Sequence, residues 1–301
     1  MSADTATPTE SKAPRKSKGR SGPIEKDTAL RSWGKSGMLG LVLLWCLFPF
    51  FWLIMTSLKT GRALNSPNLF EGPFSLSNYT AVFDVDFHLN LRNSFAIAGI
   101  TTILCVVIGS LAAYALVRLP MKGKILMLSG VLAISLFPPV ALVPPLYEAW
   151  LAVGLLNKWE GLYIPYTAFT LPLTIFILVT FFAAIPKDLN EAAKIDGATP
   201  FQTFYKVIFP LATPGVFAAA IIIFVLSWNE FLLASTFAPR NPEVAQTVPV
   251  AIASFTGASQ YDVPLGTLTA ASVIVTVPMI IIALIFQKRI ISGLTAGGVK
   301  G

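Results

Sequence analysis

Six apolar segments set the terms for this chain, at approximately Met38–Leu58, Asn93–Val117, Ile125–Tyr147, Leu162–Ala184, Thr213–Thr236 and Gly266–Phe286. Each is long enough to cross a bilayer core, which takes ~20 residues as a helix. Hydrocarbon offers the backbone no hydrogen-bond partners, so a crossing segment must satisfy its own N–H and C=O groups. Charged residues make up only 12% of the chain, where soluble domains carry about 25%. The expected fold class is therefore all-α, a polytopic membrane protein of six transmembrane helices.

Proline interrupts several of the segments: Pro49, then Pro138, Pro139, Pro144 and Pro145, then Pro165 and Pro172, and finally Pro278. The two double prolines make the third segment a candidate for a broken or re-entrant helix of the kind found along transport paths. A packing kink is the alternative. Residues 1–35 are rich in Ser, Thr, Lys, Arg and Pro, and read as a disordered basic cytoplasmic tail. The apolar run after them is too long for a signal peptide and lacks a cleavage site. Gly34-Lys35-Ser36 does not make a phosphate loop, because Ala29 stands where that loop needs glycine.

Charge orients the membrane domain, residues 36–301. With the N-terminus inside, 17 of the 22 Lys and Arg residues lie on the cytoplasmic side. Only Lys59, Arg62, Arg92, Lys158 and Arg240 lie outside. Both termini are expected in the cytoplasm, with residues 186–210 as a cytoplasmic loop and residues 287–301 as a cytoplasmic tail. The net charge of +7 thus reflects topology, not nucleic-acid binding. Long outer loops at residues 59–92 and 237–265 suit a surface that receives an external partner.

The cytoplasmic loop is the most structured polar stretch. Asp188 with Glu191 is a capping-box pattern, and Gly197 is a left-handed stop. Thr199 with Gln202 repeats the box, with Pro200 at the first helical position. Phe201, Phe204, Tyr205 and Ile208 fall at i, i+3, i+4 and i+7, predicting one apolar face. Ala192 and Ala193 leave a shallow surface for close approach. The pattern spells a capped helix–turn–helix, either an amphipathic connector or a docking element.

No nucleophile–base pair or metal-ligating cluster is apparent, so catalytic and metal residues are expected to be none, and no cofactor is expected on this chain. Glu230, in Ser227-Trp228-Asn229-Glu230-Phe231, is an ionisable group inside a span and a functional candidate by that fact. It lies 17 residues beyond Thr213, about 26 Å along a helix and near the outer edge of the core. Trp228, Asn229 and Glu230 are accordingly candidates for a substrate path, with a wetted interfacial carboxylate as the alternative.

Glu191-Ala192-Ala193 with Gly197, Ile208 and Pro210 resembles the cytoplasmic coupling motif of binding-protein-dependent ABC importer permeases. Asp196-Gly197-Ala198 is similar to the form common among carbohydrate importers, while Phe209 stands where that motif usually has leucine. The resemblance covers residues 38–301, including Asn93-Ser94, Ala112–Ala115 with Arg118, and Gly293–Gly301. It is to the smaller permease of the maltose and trehalose importer type. Val250–Gln260 and Phe286–Ile290 are most similar to the second permease of actinobacterial trehalose importers.

The resemblance implies a type I importer permease fold in the bacterial cytoplasmic membrane. It further implies a second permease, two cytoplasmic ABC ATPases that hold ATP and Mg, and an external solute-binding lipoprotein. The chain would form half of a pore for a di- or oligosaccharide, trehalose first and maltose-type sugars next. Glu191, Ala192, Ala193, Asp196, Gly197, Ala198, Phe204, Ile208 and Pro210 would couple it to an ATPase. Gly297, Gly298 and Lys300 would make a secondary ATPase contact. The alternatives are an ABC permease for another small solute, a secondary transporter that uses Glu230, or a membrane scaffold.

Overall fold

The computed structural model describes the backbone of residues 29–255 and 264–298, and the side chains of residues 36–255 and 264–286. Every regular element among the described residues is helical. The chain divides into two units, residues 1–50 and residues 51–301. The first supplies the beginning of α1 (Ala29–Leu58), a 30-residue helix. The second supplies its end and everything after it. Because α1 starts at Ala29, the last part of the expected basic tail is helical; residues 1–28 lie outside the described residues.

The second unit continues with a short 3-10 turn at Gly61–Asn65, α2 (Ser77–Phe83) and α3 (Phe87–Arg118). Next come α4 (Lys124–Ser135), α5 (Pro139–Val153) and α6 (Glu160–Ala184). A polar helix–turn–helix follows, made of α7 (Asp188–Ile195), α8 (Pro200–Thr203), a π turn at Phe204–Ile208 and α9 (Phe209–Leu211). The chain then returns through α10 (Thr213–Trp228), α11 (Leu232–Phe237), α12 (Val248–Ala253) and α13 (Leu265–Gly298).

Among the described residues, four helices are long and apolar enough to cross a membrane singly: Ser36–Leu58, Phe87–Arg118, Glu160–Ala184 and Leu265–Phe286. Two bent pairs of helices reach the same length and apolarity only when taken together. The double-proline segment breaks between Ser135 and Pro139, and its halves meet at 82°. Pro138 cannot donate to the ladder, and Leu136 and Phe137 close the first half with bonds to Ala133 and Ile134. The helical stretch Pro200–Leu211 meets α10 at 78°.

The fifth segment differs from the single helix expected over Thr213–Thr236. It stops at Trp228, and a new helix starts at Leu232. Side chains replace the interrupted ladder: the Asn229 amide donates to the Val225 carbonyl at 2.8 Å. The Glu230 carboxylate accepts the N–H groups of Leu233 and Ala234 at 2.9 and 3.1 Å. Polar side chains that offer such local bonds compete with a continuous helix.

Helix α3 organises the packing. Thr101, Cys105, Gly109 and Ala113 recur every four residues, a small-residue stripe that lets helix backbones approach closely in a membrane. A Cβ on Gly109 would stand only 2.8 Å from Thr174 Cγ2, so glycine is required where α3 meets α6. Around this contact lie an outer cluster with Ile97, Leu162, Tyr166, Leu233 and Phe237, and an inner one with Tyr114, Phe182, Phe204 and Ile208.

Candidate functional site

The helix–turn–helix at residues 188–211 is built from short local bonds. Of the two capping boxes expected, one forms. Thr199 Oγ1 accepts the Gln202 N–H at 3.3 Å and Gln202 Oε1 accepts the Thr199 N–H at 2.9 Å, with Pro200 opening α8. The Asp188–Glu191 box does not form. Lys187 occupies the cap with helical backbone angles, which places Asp188 one residue too far into α7. There its carboxylate can favour the helix start only through the dipole.

The turn between the helices is a complete Schellman motif. Gly197 has φ +77°, its N–H donates to the Lys194 carbonyl at 3.0 Å, and the Ala198 N–H donates to Ala193 at 2.9 Å. A Cβ at Gly197 would meet nothing within 4 Å, so the demand for glycine is purely a backbone demand.

Pro210 shapes the second helix. It has no N–H, and in a continuous α-helix its ring would press on the carbonyl four residues back, at Lys206. The turn upstream widens to π geometry, with the Phe209 N–H reaching back to Phe204. This splits the single apolar face expected from Phe201, Phe204, Tyr205 and Ile208. Phe204 and Ile208 are buried, whereas Phe201 is 64% exposed and Tyr205 46% exposed. The two exposed rings pack on each other with centroids 5.5 Å apart.

The buried half anchors the element to the membrane helices. The Phe204 ring lies 5.2 Å from Tyr114 and 6.5 Å from Phe182, so it touches both α3 and α6. The Tyr114 hydroxyl donates to the Pro200 carbonyl at 3.0 Å. Arg118, closing α3, donates to the carbonyls of Phe182 and Ile185 at 2.8 and 2.6 Å. The C-terminal carbonyls of α6 are thereby satisfied by a cation, as a helix end favours. Arg118 entered the sequence reading only through resemblance; its bonds show what it does.

The coupling candidates therefore divide into two sets. Glu191, Ala192, Asp196, Gly197 and Pro210 are exposed, and Ala198 is half-buried. Ala193, Phe204 and Ile208 are buried and hold the element in place. Ile195, at 86%, is a further large apolar side chain left exposed on this element besides Phe201 and Tyr205. Periodicity could not separate these residues, because the π turn lies between them. Gly297 and Gly298 end α13, and Lys300 lies outside the described residues.

The second candidate site lies at the far end of α10. Trp228 is buried against Phe95 and Phe224, with centroids 4.7 and 5.9 Å away. Asn229 is exposed and bonded to its own helix. Both Glu230 oxygens are occupied by backbone N–H groups, and the Tyr166 hydroxyl faces this carboxylate outside hydrogen-bond geometry. Among the described residues no three His, Cys, Asp or Glu side chains converge.

Glu230→Gln keeps one good acceptor for two donors. It is expected to destabilise the α11 start by about 1 kcal/mol. Thermal unfolding in detergent should shift to lower temperature; an unchanged midpoint would show that the carboxylate does not hold the start of α11.

Comparison with known proteins places this architecture. Residues 105–295 match the family described as binding-protein-dependent transport system inner membrane component. The chain is similar to the trehalose transport system permease protein SugB of Mycobacterium tuberculosis, 45% identical over 87% of this chain and 95% of that protein. It is 43% identical to the trehalose/maltose transport system permease protein MalG of Thermococcus litoralis, over 87% and 94% of the two chains. The sulfoquinovosyl glycerol transport system permease protein SmoH of Agrobacterium fabrum is 46% identical over 85% and 89%. In fold, the chain resembles a bacterial ABC transporter involved in the import of the acidic polysaccharide alginate. The TM-score is 0.72 at 21% identity, covering 87% of this chain and 97% of that one.

Proposed function

We propose a function from one premise: this chain belongs to the family of binding-protein-dependent transport system inner membrane components. It is a multi-pass membrane protein, and its role is to form one half of a solute pore that a separate ATPase drives. The carrying observation is the way the helix–turn–helix is divided, with one face exposed and the other bonded into α3 and α6. An ATPase subunit docks on Glu191, Ala192, Asp196 and the exposed Ile195, Phe201 and Tyr205. ATP and Mg bind on that subunit.

When a pair of ATPases closes, the element moves with them. Phe204, Ile208 and the Tyr114–Pro200 bond then pass the displacement to the membrane helices. A well-capped rigid turn transmits such motion, whereas a floppy loop would absorb it. Gly297, Gly298 and Lys300 add a second contact to the ATPase. Both chain termini face the cytoplasm, and an external binding protein delivers solute to the opposite side.

The solute is a di- or oligosaccharide, trehalose first and maltose-type sugars next. The support is that relatives of 43–46% identity are named for sugar or glycosyl-glycerol transport. The turn at Trp228–Glu230 borders the path, with Glu230 fixing α11 beside it. A cation-coupled transporter using Glu230 fits less well, because both carboxylate oxygens already serve the backbone.

The test is to purify the chain with its partner permease, ATPase and binding protein and to measure ATP hydrolysis. Trehalose should stimulate hydrolysis more than other disaccharides, and Glu191→Lys should strip the ATPase from the complex. Hydrolysis indifferent to every sugar would overturn the solute assignment, and unchanged co-purification of Glu191→Lys would overturn the docking face.

A further inference from the structure

At the end of α10 remote from the coupling element, the chain forms a groove of about 490 Å³. Phe231, Ser235, Arg240, Gln246 and Ser254 line it. Its walls are the start of α11, residues 239–246 and the end of α12. The Trp228–Glu230 turn leads directly into it through Phe231.

The wall is held more firmly than a surface loop needs. The Asn90 amide donates to both the carbonyl and the side-chain oxygen of Gln246 at 3.1 Å. Asn93 donates to the carbonyls of Pro242 and Gln246 at 2.7 and 3.0 Å, and Ser94 accepts the Val248 N–H at 2.8 Å. Gln246 in turn donates to Pro239 at 2.7 Å. Asn90, Asn93 and Ser94 are all buried, and all three serve this one loop. Groups fixed in this way keep a groove in its binding shape before any ligand arrives.

The lining matches a hydroxyl-rich ring. Phe231 is 47% exposed and offers a flat apolar face. Arg240 offers a planar fork of donors and is exposed. The Ser235 and Ser254 hydroxyls spend their protons on the carbonyls of Leu232 and Val250, which leaves their lone pairs as acceptors. Among the described residues no carboxylate lines the groove. Small-molecule sites typically measure ~300–1,000 Å³ and combine apolar walls with a few convergent polar groups.

We propose that this groove is a sugar subsite at the outer mouth of the path. One ring of the solute stacks on Phe231, its hydroxyl oxygens accept from Arg240, and its hydroxyl protons go to Ser235 and Ser254. The site receives sugar after release from the binding protein. This rests on the sugar-import reading above.

The test uses the complete complex in proteoliposomes, with trehalose as the probe. Phe231→Ala and Arg240→Gln each remove one exposed contact, and each should lower maximal uptake about tenfold. The concentration of loaded binding protein for half-maximal uptake should stay constant. Phe231→Tyr restores the ring and should recover most of the uptake lost in Phe231→Ala. Unchanged maximal uptake in both variants would overturn the subsite while leaving the importer reading intact. A shift in half-saturation alone would make the groove a docking surface for the binding protein, which also overturns it. No trehalose uptake by the unmodified complex would overturn the sugar reading, and the subsite with it.

Discussion

Replacing Gly197 by valine should cut solute uptake at least tenfold while membrane insertion proceeds normally. The residue holds φ +77° at the turn between the two short helices α7 and α8. A side chain there costs roughly 1–2 kcal/mol for the left-handed conformation, and a β-branched one more. Nothing crowds the position, so the cost arises in the backbone and is relieved by unwinding the turn. Unwinding would release the bonds from Gly197 to Lys194 and from Ala198 to Ala193, which set the angle between the helices. Asparagine tolerates the left-handed region, so Gly197→Asn should keep most uptake. Membrane-fraction content and uptake measured together decide the matter; wild-type uptake in the valine variant would mean that the turn does not carry force.

Phe204→Ala should produce a different defect, in which ATP is hydrolysed without sugar entering. Phe204 is 8% exposed and contacts Tyr114, Phe182 and Phe209. Removing a buried phenylalanine typically costs 3–5 kcal/mol, and here the cavity opens between the helix–turn–helix and the membrane helices. The exposed face with Phe201 and Tyr205 is untouched, so the ATPase should still co-purify. Hydrolysis should lose its dependence on sugar, and uptake should fall by an order of magnitude or more. Phe201→Ala makes the contrast: its ring is exposed, so the chain should remain stable while the ATPase dissociates. Sugar-dependent hydrolysis and full uptake in Phe204→Ala would place the mechanical link elsewhere.

The two variants probe neighbouring residues that periodicity put on one face. Spacing identified both as apolar, but α-helical geometry was the wrong ruler once Pro210 opened the π turn. The same limit applies to the first capping box. Asp188 and Glu191 have the right separation, yet the chain leaving α6 at Ile185 enters α7 one residue early, at Lys187. Thr199 and Gln202 had no such competitor, because Pro200 fixes where α8 begins. Glu230 shows the limit for a single residue. Its depth followed from counting along a helix, whereas its two backbone partners exist only because the helix ends at Trp228.

The sequence by itself determined the membrane class, the six apolar segments and the Gly197 turn, and narrowed the double-proline segment to a break or a kink. These rest on hydrophobic length and on backbone rules that act over a few residues. Only the tertiary structure decided which side of the helix–turn–helix faces inward, that Tyr114 ties it to α3 while Arg118 ties α3 to the end of α6, and that Asn90, Asn93 and Ser94 hold the loop between α11 and α12. Those contacts join residues 64 to 156 positions apart. No local pattern encodes them, because each depends on how whole helices pack against one another.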